Sequence, residues 1–330
     1  AYTSYAYTSY AYTSYAYTSY AYTPYAWQNA WFSSWTREPR GNLRYNLDMP
    51  SITNPEPVDY LMIGHLTIDN TPSGPQLGGT ATYAALTAQV LGLRVGIITA
   101  WGAEIDSGAL ESIPILNINS GRSTNFQNID TPAGRVQRIL HVAPRLESCH
   151  IPESWRRARI VHLGPVAQEV EPALVHQFPA ALIGVTPQGW LRAWDEDGRV
   201  YVTDWPAASH ILQSVGAAVI SIYDLDGDEG RVEEMAVSCP VLVVTEGKQG
   251  VRLYWNGDVR RFRSPEVESV DTTGAGDIFA AAFFVRLFTT RDPWEAARFA
   301  IRLASFSVTR AGLAAIPTAG EVNACLVEVI

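Results

Sequence analysis

From Tyr60 onward the chain falls into short apolar runs separated by longer mixed segments. YLMIG, VGIITAWG, RIVHLG, ALIGVT, AAVISI and VLVVTEG are almost continuously apolar. Such runs read as strands buried on both faces. Between most of them lie segments able to form helices, such as Thr80–Leu91 and Gln168–Gln177. The alternation predicts a mostly parallel sheet covered on both sides, a three-layer α/β/α sandwich. Two stretches differ. Arg135–Val142 (RVQRILHV) alternates like a half-exposed strand and suits a small accessory sheet. Leu253–Phe262 contains Asn256-Gly257, a hairpin signal. After Asp277 the pattern is helical: Ile278–Phe288, Pro293–Thr309, and a short tail helix from about Gly320.

Residues 1–20 are AYTSY four times over, and AYTPY follows. Ten of the sixteen tyrosines fall in these first 25 residues. A five-residue period is too short for a stacking repeat and matches neither a helix face nor a strand face. Residues 1–48 therefore read as a low-complexity, mostly disordered tail, and 49–330 as the folded body. Met49 is the first methionine and a candidate natural start.

Composition narrows the function. With 330 residues and 47% hydrophobic content, the body can bury a core without staples. The net charge of −9 and the lack of a basic tract argue against nucleic-acid and anionic-membrane partners. No apolar run is long enough to span a bilayer. Cys149, Cys239 and Cys325 lie far apart, which suggests a reduced, cytoplasmic setting. The six histidines, among them His65 beside a candidate substrate strand, show no zinc-site spacing. Lys248 is the single lysine, and its Gly-Lys continues to Gln249. A Walker A loop and a protein-kinase strand lysine are thus both missing. Phosphates would be handled by backbone amides, arginine and metal.

The stretch Asp271–Asp277, DTTGAGD, precedes the apolar run IFAAAFFVRLF. The first amides of a helix lack internal partners and carry the positive end of its dipole. Glycines in front of them let a phosphate approach, and Asp277 falls in the same first turn. An anion hole beside a carboxylate is what in-line phosphoryl transfer to an alcohol requires. Tight helix–sheet packing with a favourable first-turn charge is the structural alternative.

The whole string resembles the second signature of the ribokinase-like (PfkB) carbohydrate kinases. Other segments agree in order. Ile63–Asp69 (IGHLTID) looks like the family's first strand and substrate aspartate. Leu77–Ala85 (LGGTATYAA) is similar to its first signature. Thr245–Gly250 (TEGKQG) resembles the turn beside ATP, and Ala300–Pro317 resembles the segment that helps form the adenine pocket.

The resemblance implies an ATP- and Mg²⁺-dependent kinase with a small β lid, its segments near 66–76 and 125–142. It implies Asp277 as base, with the amides of Gly274, Ala275 and Gly276 holding the phosphoryl group. Asp69, Gly78 and Gly79 would bind substrate hydroxyls, and Thr245, Gly247 and Gly312 the nucleotide. Asp271, with the backbone near Arg310–Gly312, would hold a monovalent cation such as K⁺. Two positions depart from the family. Its Asn-x-x-Glu metal motif reads Ser221-Ile222-Tyr223-Asp224 here, leaving Asp224 to act on Mg²⁺ through water. The asparagine after Gly-Gly is replaced by Tyr83, which would reshape the substrate pocket. The reading is phosphorylation of a sugar or polyol hydroxyl. The alternatives are a nucleoside kinase on the same fold and a catalytically weak regulator or scaffold. A homodimer stays open.

Overall fold

The computed structural model describes residues 55–71, 74–131 and 134–326. The expectation of a disordered tail over 1–48 lies outside them. In chain order the strands of the described residues are β1 (Tyr60–Ile63), β2 (Thr67–Thr71), β3 (Gly74–Gly78), β4 (Val95–Thr99), β5 (Ile115–Asn117), β6 (Thr124–Thr131), β7 (Gly134–His141), β8 (Ile160–Leu163), β9 (Leu182–Val185), β10 (Arg192–Trp194), β11 (Val200–Val202), β12 (Ala217–Ser221), β13 (Val241–Thr245), β14 (Val251–Trp255) and β15 (Asp258–Phe262). The helices are α1 (Thr80–Val90), α2 (Ala208–Leu212), α3 (Glu229–Ser238), α4 (Ala275–Thr290), α5 (Pro293–Ser307) and α6 (Ala319–Leu326).

All six apolar runs form strands of one sheet, ordered β15-β14-β13-β12-β9-β8-β1-β4-β5. From β13 to β5 every pairing is parallel. β14 and β15 extend the β13 edge antiparallel. Side chains alternate between the faces of a strand, so each run feeds two cores. Tyr60 and Met62 of β1 join the core under α1, α4 and α5. Leu61 and Ile63 join the core on the opposite face, with Trp155, Phe178 and Met235. That is why these runs are continuously apolar rather than alternating.

Local signals explain the joints. Asn256 and Gly257 both have positive φ (52° and 75°), as a tight hairpin demands. Arg291 turns left-handed at the end of α4. Asp292 then caps α5, accepting from the amides of Trp294 at 2.8 Å and Glu295 at 3.2 Å, with Pro293 in the first turn. α4 is apolar nearly all round because it is buried between the sheet and its neighbouring helices, with Phe283 and Phe284 fully covered. Each ring contributes about 1.5–3 kcal/mol relative to exposure.

Gln168–Gln177 is not the helix its composition suggests. Only a short 3₁₀ turn, Pro172–His176, forms. The carboxylate of Glu169 is taken up by backbone amides of residues 166 and 167, which folds the segment start into a loop.

A second sheet, ordered β3-β2-β6-β7, stands apart from the first. It contains the segments expected to form the lid. The hairpin β10–β11 reaches it, with the Ile139 amide donating to Gly198 O at 2.8 Å. Among the described residues no helix is long and apolar enough to cross a membrane.

Candidate active site

The DTTGAGD segment is tied down before it becomes a helix. The amides of Val270 and Asp271 donate to Val308 O at the end of α5 (2.7 and 3.2 Å). Asp271 Oδ1 accepts from the Thr273 amide at 2.9 Å, and Oδ2 from the Gly312 amide at 3.2 Å. Gly274 then takes φ +76° and caps α4 with no side-chain hydrogen bond, leaving the first turn for Ala275, Gly276 and Asp277. The Ala275 amide turns back to Thr272 O at 3.3 Å. A β-carbon at Gly276 would meet open space.

The start of α1 arrives at the same place. Gly79, with φ +87°, caps α1 and lies so close to His65 O that a β-carbon would sit 2.6 Å from it. Gly78 makes room for Asp69, whose Oδ2 would stand 2.4 Å from a β-carbon there. Asp69 sits on β2 of the small sheet, where Oδ1 accepts from Thr67 Oγ1 at 3.0 Å.

Both helix starts open on a cavity of about 100 Å³. Of the expected residues, Asp69, Gly79, Tyr83, Gly274 and Asp277 line it. So do Thr67, Thr80, Phe126, Gln137, Val166, Gln188, Arg192 and Thr273, which sequence reasoning did not single out. Arg192 is the important omission. It lies in a tryptophan-rich stretch in which Trp190 and Trp205 pack, with centroids 5.0 Å apart. The available signal was an arginine closing VTPQGWLR, at the carboxyl end of the parallel strand β9.

Charge in the cavity is finely poised. Burial pushes the Asp277 carboxyl up to about 6; a Thr80 hydrogen bond and the Arg192 charge oppose the rise, and Asp224 and Asp69 add to it. Burial, reinforced by Asp277, Asp69 and Asp271, holds the Tyr83 phenol well above its ordinary range, so it stays a donor at neutral pH. Burial lowers the Arg192 guanidinium, against the pull of Asp224, Asp277, Asp69 and Glu169. Its Nη1 donates to Val166 O at 3.3 Å, and it faces the Phe126 ring at 5.9 Å.

The residues expected to hold nucleotide divide. Thr245 ends β13, with Oγ1 donating to Ile220 O at 3.4 Å. Glu246 beside it is buried and paired with Arg252 at 2.6 Å, and Arg252 also grips Glu229 at 2.7 Å. That tie fixes the turn in which Gly247 is exposed, with φ +58° and Tyr223 alongside. Gly312 has positive φ (54°) and opens the turn after α5. It lines a separate cavity of about 320 Å³ with Gln76, Leu77, Ala311 and Leu313. Asp224 caps the turn after β12: Oδ2 accepts from the Ser221 amide at 3.2 Å and Oδ1 from Gln188 Nε2 at 3.0 Å. A carboxylate offers about four acceptor positions, so capacity remains for a hydrated cation. Among the described residues no group of three or more His, Cys, Asp or Glu is arranged to hold a metal ion by itself.

Comparison with known proteins agrees with this geometry. Residues 230–319, which contain DTTGAGD, match the pfkB family of carbohydrate kinases. A cytidine kinase from Thermococcus kodakarensis is 24% identical over 275 residues, covering 75% of this chain and 95% of its own. A pyrophosphate-dependent kinase of the ribokinase family, solved with a pyrophosphate analogue and myo-inositol, superposes with a TM-score of 0.68 at 18% identity, over 80% of this chain and 99% of its own. Arabidopsis thaliana ribokinase, solved with ribose and ATP, gives 0.63 at 17% identity, over 82% and 99%. Residues 230–319 thus carry the match to the pfkB family of carbohydrate kinases, and the described body shares the fold of the ribokinase-family kinases.

Proposed function

We propose that this kinase moves the terminal phosphoryl group of ATP onto a hydroxyl of a compact sugar or polyol bound between Asp69 and Asp277. The observation that carries this is the shared cavity: a carboxylate in the first turn of α4, the glycine-opened start of that helix, and a second carboxylate on the small sheet, all facing one space. Asp277 takes the proton of the acceptor hydroxyl as the oxygen attacks. With a carboxyl near 6 it is ionised at neutral pH yet basic enough to accept a proton. The amides of Gly274, Ala275 and Gly276 hold the phosphoryl oxygens where charge develops. Arg192 adds the fixed positive charge that Lys248, exposed on the turn beyond β13, does not bring to this cavity.

Acceptor binding follows from the lining. Asp69, Gln137 and Gln188 offer donors and acceptors suited to several hydroxyls, and Tyr83 and Phe126 supply flat walls. The nucleotide lies along Thr245 and Gly247. Asp224 is the residue that would hold Mg²⁺ through water, and the bound ion would offset phosphate charge. Asp271 and Gly312 serve first as a brace for the loop, since the carboxylate already accepts two amides. A nucleoside acceptor is the second reading, favoured by the cytidine kinase that the chain matches over most of its length.

The test is ADP release by the whole chain with Mg-ATP and a panel of sugars, cyclic and linear polyols and nucleosides. The proposal expects turnover that depends on a sugar or polyol. Turnover with nucleosides alone supports the second reading, and turnover with pyrophosphate but not ATP overturns the donor assignment.

A further inference from the structure

His65 is fully buried between β1 and β2, at the root of the small sheet. Its ring bridges two other roots of the same sheet. Nε2 lies 2.9 Å from Pro144 O, just past β7, and Nδ1 lies 2.7 Å from Thr124 Oγ1, the first residue of β6. A carbonyl can only accept, so the partners assign the proton to Nε2, and the Thr124 hydroxyl donates to Nδ1. Thr124 Oγ1 then accepts from the Ala143 amide at 2.9 Å. Both ring nitrogens of His65 and the Thr124 hydroxyl are thus hydrogen-bonded. Burial holds the imidazole below its ordinary range and so favours the same neutral form, with the Glu169 charge opposing it.

The backbone of His65 joins a second knot. Its amide donates to Glu169 Oε1 at 3.2 Å. The same carboxylate accepts from the Val166 amide at 3.0 Å and the Ala167 amide at 2.7 Å. Leu146, in the loop that follows β7, donates to Glu169 O at 2.8 Å and bridges to Val170. Val166 lines the cavity, and its carbonyl receives Arg192. One residue thus connects the roots of the sheet that carries Asp69, Phe126 and Gln137 to the loop that seats the cavity's arginine.

We propose that His65 is a positioning residue, a clamp that sets where the small sheet stands over the acceptor pocket and so governs acceptor binding rather than the chemical step. The kinetic part rests on the function proposed above; the clamp itself does not. A histidine filling core space alone could be replaced by another buried side chain without separating acceptor from donor. A clamp cannot, because its hydrogen bonds hold three chain segments in register.

The experiment compares wild type, His65→Ala, His65→Gln and Thr124→Val by hydrogen exchange and by steady-state kinetics. In His65→Ala and Thr124→Val, amides of β2, β6 and β7 should exchange at least about tenfold faster, with β8 and β12 unchanged. Acceptor KM should rise about tenfold with kcat and donor KM within about threefold. His65→Gln, whose amide can still donate to Pro144 O, should recover part of both effects. Unchanged exchange in the small sheet, or acceleration spread equally through β8 and β12, overturns the clamp. So does an equal rise in donor and acceptor KM. If wild type transfers no phosphoryl group, the proposed function fails by itself, and the exchange pattern still decides the clamp.

Discussion

The ring of Tyr83 lies so close beneath Gly274 that a β-carbon built at 274 would stand 2.4 Å from ring Cδ1. The tyrosine that departs from the family pattern thus packs against the glycine that opens the anion site. Both line the one cavity, so in the proposed function Tyr83 is a wall of the anion site as well as of the acceptor pocket. Gly274→Ala faces two costs, the contact and a left-handed φ, together about 2–4 kcal/mol. In a Tyr83→Ala background only the backbone cost of about 1 kcal/mol should remain. Thermal unfolding of the four proteins in this cycle checks the coupling. Additive losses would mean that the ring and residue 274 do not share space.

Asp277 should trade stability for activity. Its carboxyl is raised from 3.8 to about 6 in the folded protein. The favourable contribution of the protonated form is complete below the unfolded value and is lost as pH rises through about 6. Asp277→Asn should therefore be more stable than wild type at pH 8, by on the order of 2–3 kcal/mol, and differ little at pH 4. Its kcat should fall by about 10²–10⁴. Wild-type kcat/KM should drop on the acid side with a midpoint near 6.

Arg192 can be separated from a merely structural arginine by that same acid limb. Its charge lowers the Asp277 carboxyl. Arg192→Gln should move the limb to higher pH and reduce kcat by about 10²-fold, as for loss of one charge-stabilising donor. Arg192→Lys should leave the limb nearly in place while still losing rate, because an ammonium cannot reproduce the fork that reaches Val166 O. A pH profile unmoved by Arg192→Gln would contradict the assignment.

At Asp224 the expected effect is on metal. Asp224→Asn should raise the Mg²⁺ concentration for half-maximal activity by about tenfold, at unchanged acceptor KM. Removal of divalent cations with EDTA should stop transfer in both proteins. A variant with wild-type Mg²⁺ dependence would place the ion elsewhere.

Much of this architecture was legible in the pattern of apolar residues, for reasons seen at particular positions. Leu61 and Met62 face opposite cores, so β1 had to be apolar throughout. Asn256-Gly257 could announce its turn because few other pairs accept two positive φ values. DTTGAGD stood out because its small residues let Gly274 take a positive φ and leave the start of α4 open on the cavity. Arg192 had only a weak signal, its place after β9, since the fold of β9 and β10 is what carries it to the cavity of Asp277. Glu169 was not readable, because its backbone partners at 65, 166 and 167 come together only in three dimensions.

The central claim is transfer of a phosphoryl group to an acceptor hydroxyl with Asp277 as base. Phosphorus NMR of the whole chain incubated with Mg-ATP and the acceptor panel, beside Asp277→Asn, tests it most directly. The account predicts a new phosphomonoester resonance that requires both acceptor and Asp277, with ADP formed in equal amount. A resonance of equal intensity from Asp277→Asn, or inorganic phosphate as the sole product with every acceptor, would contradict it.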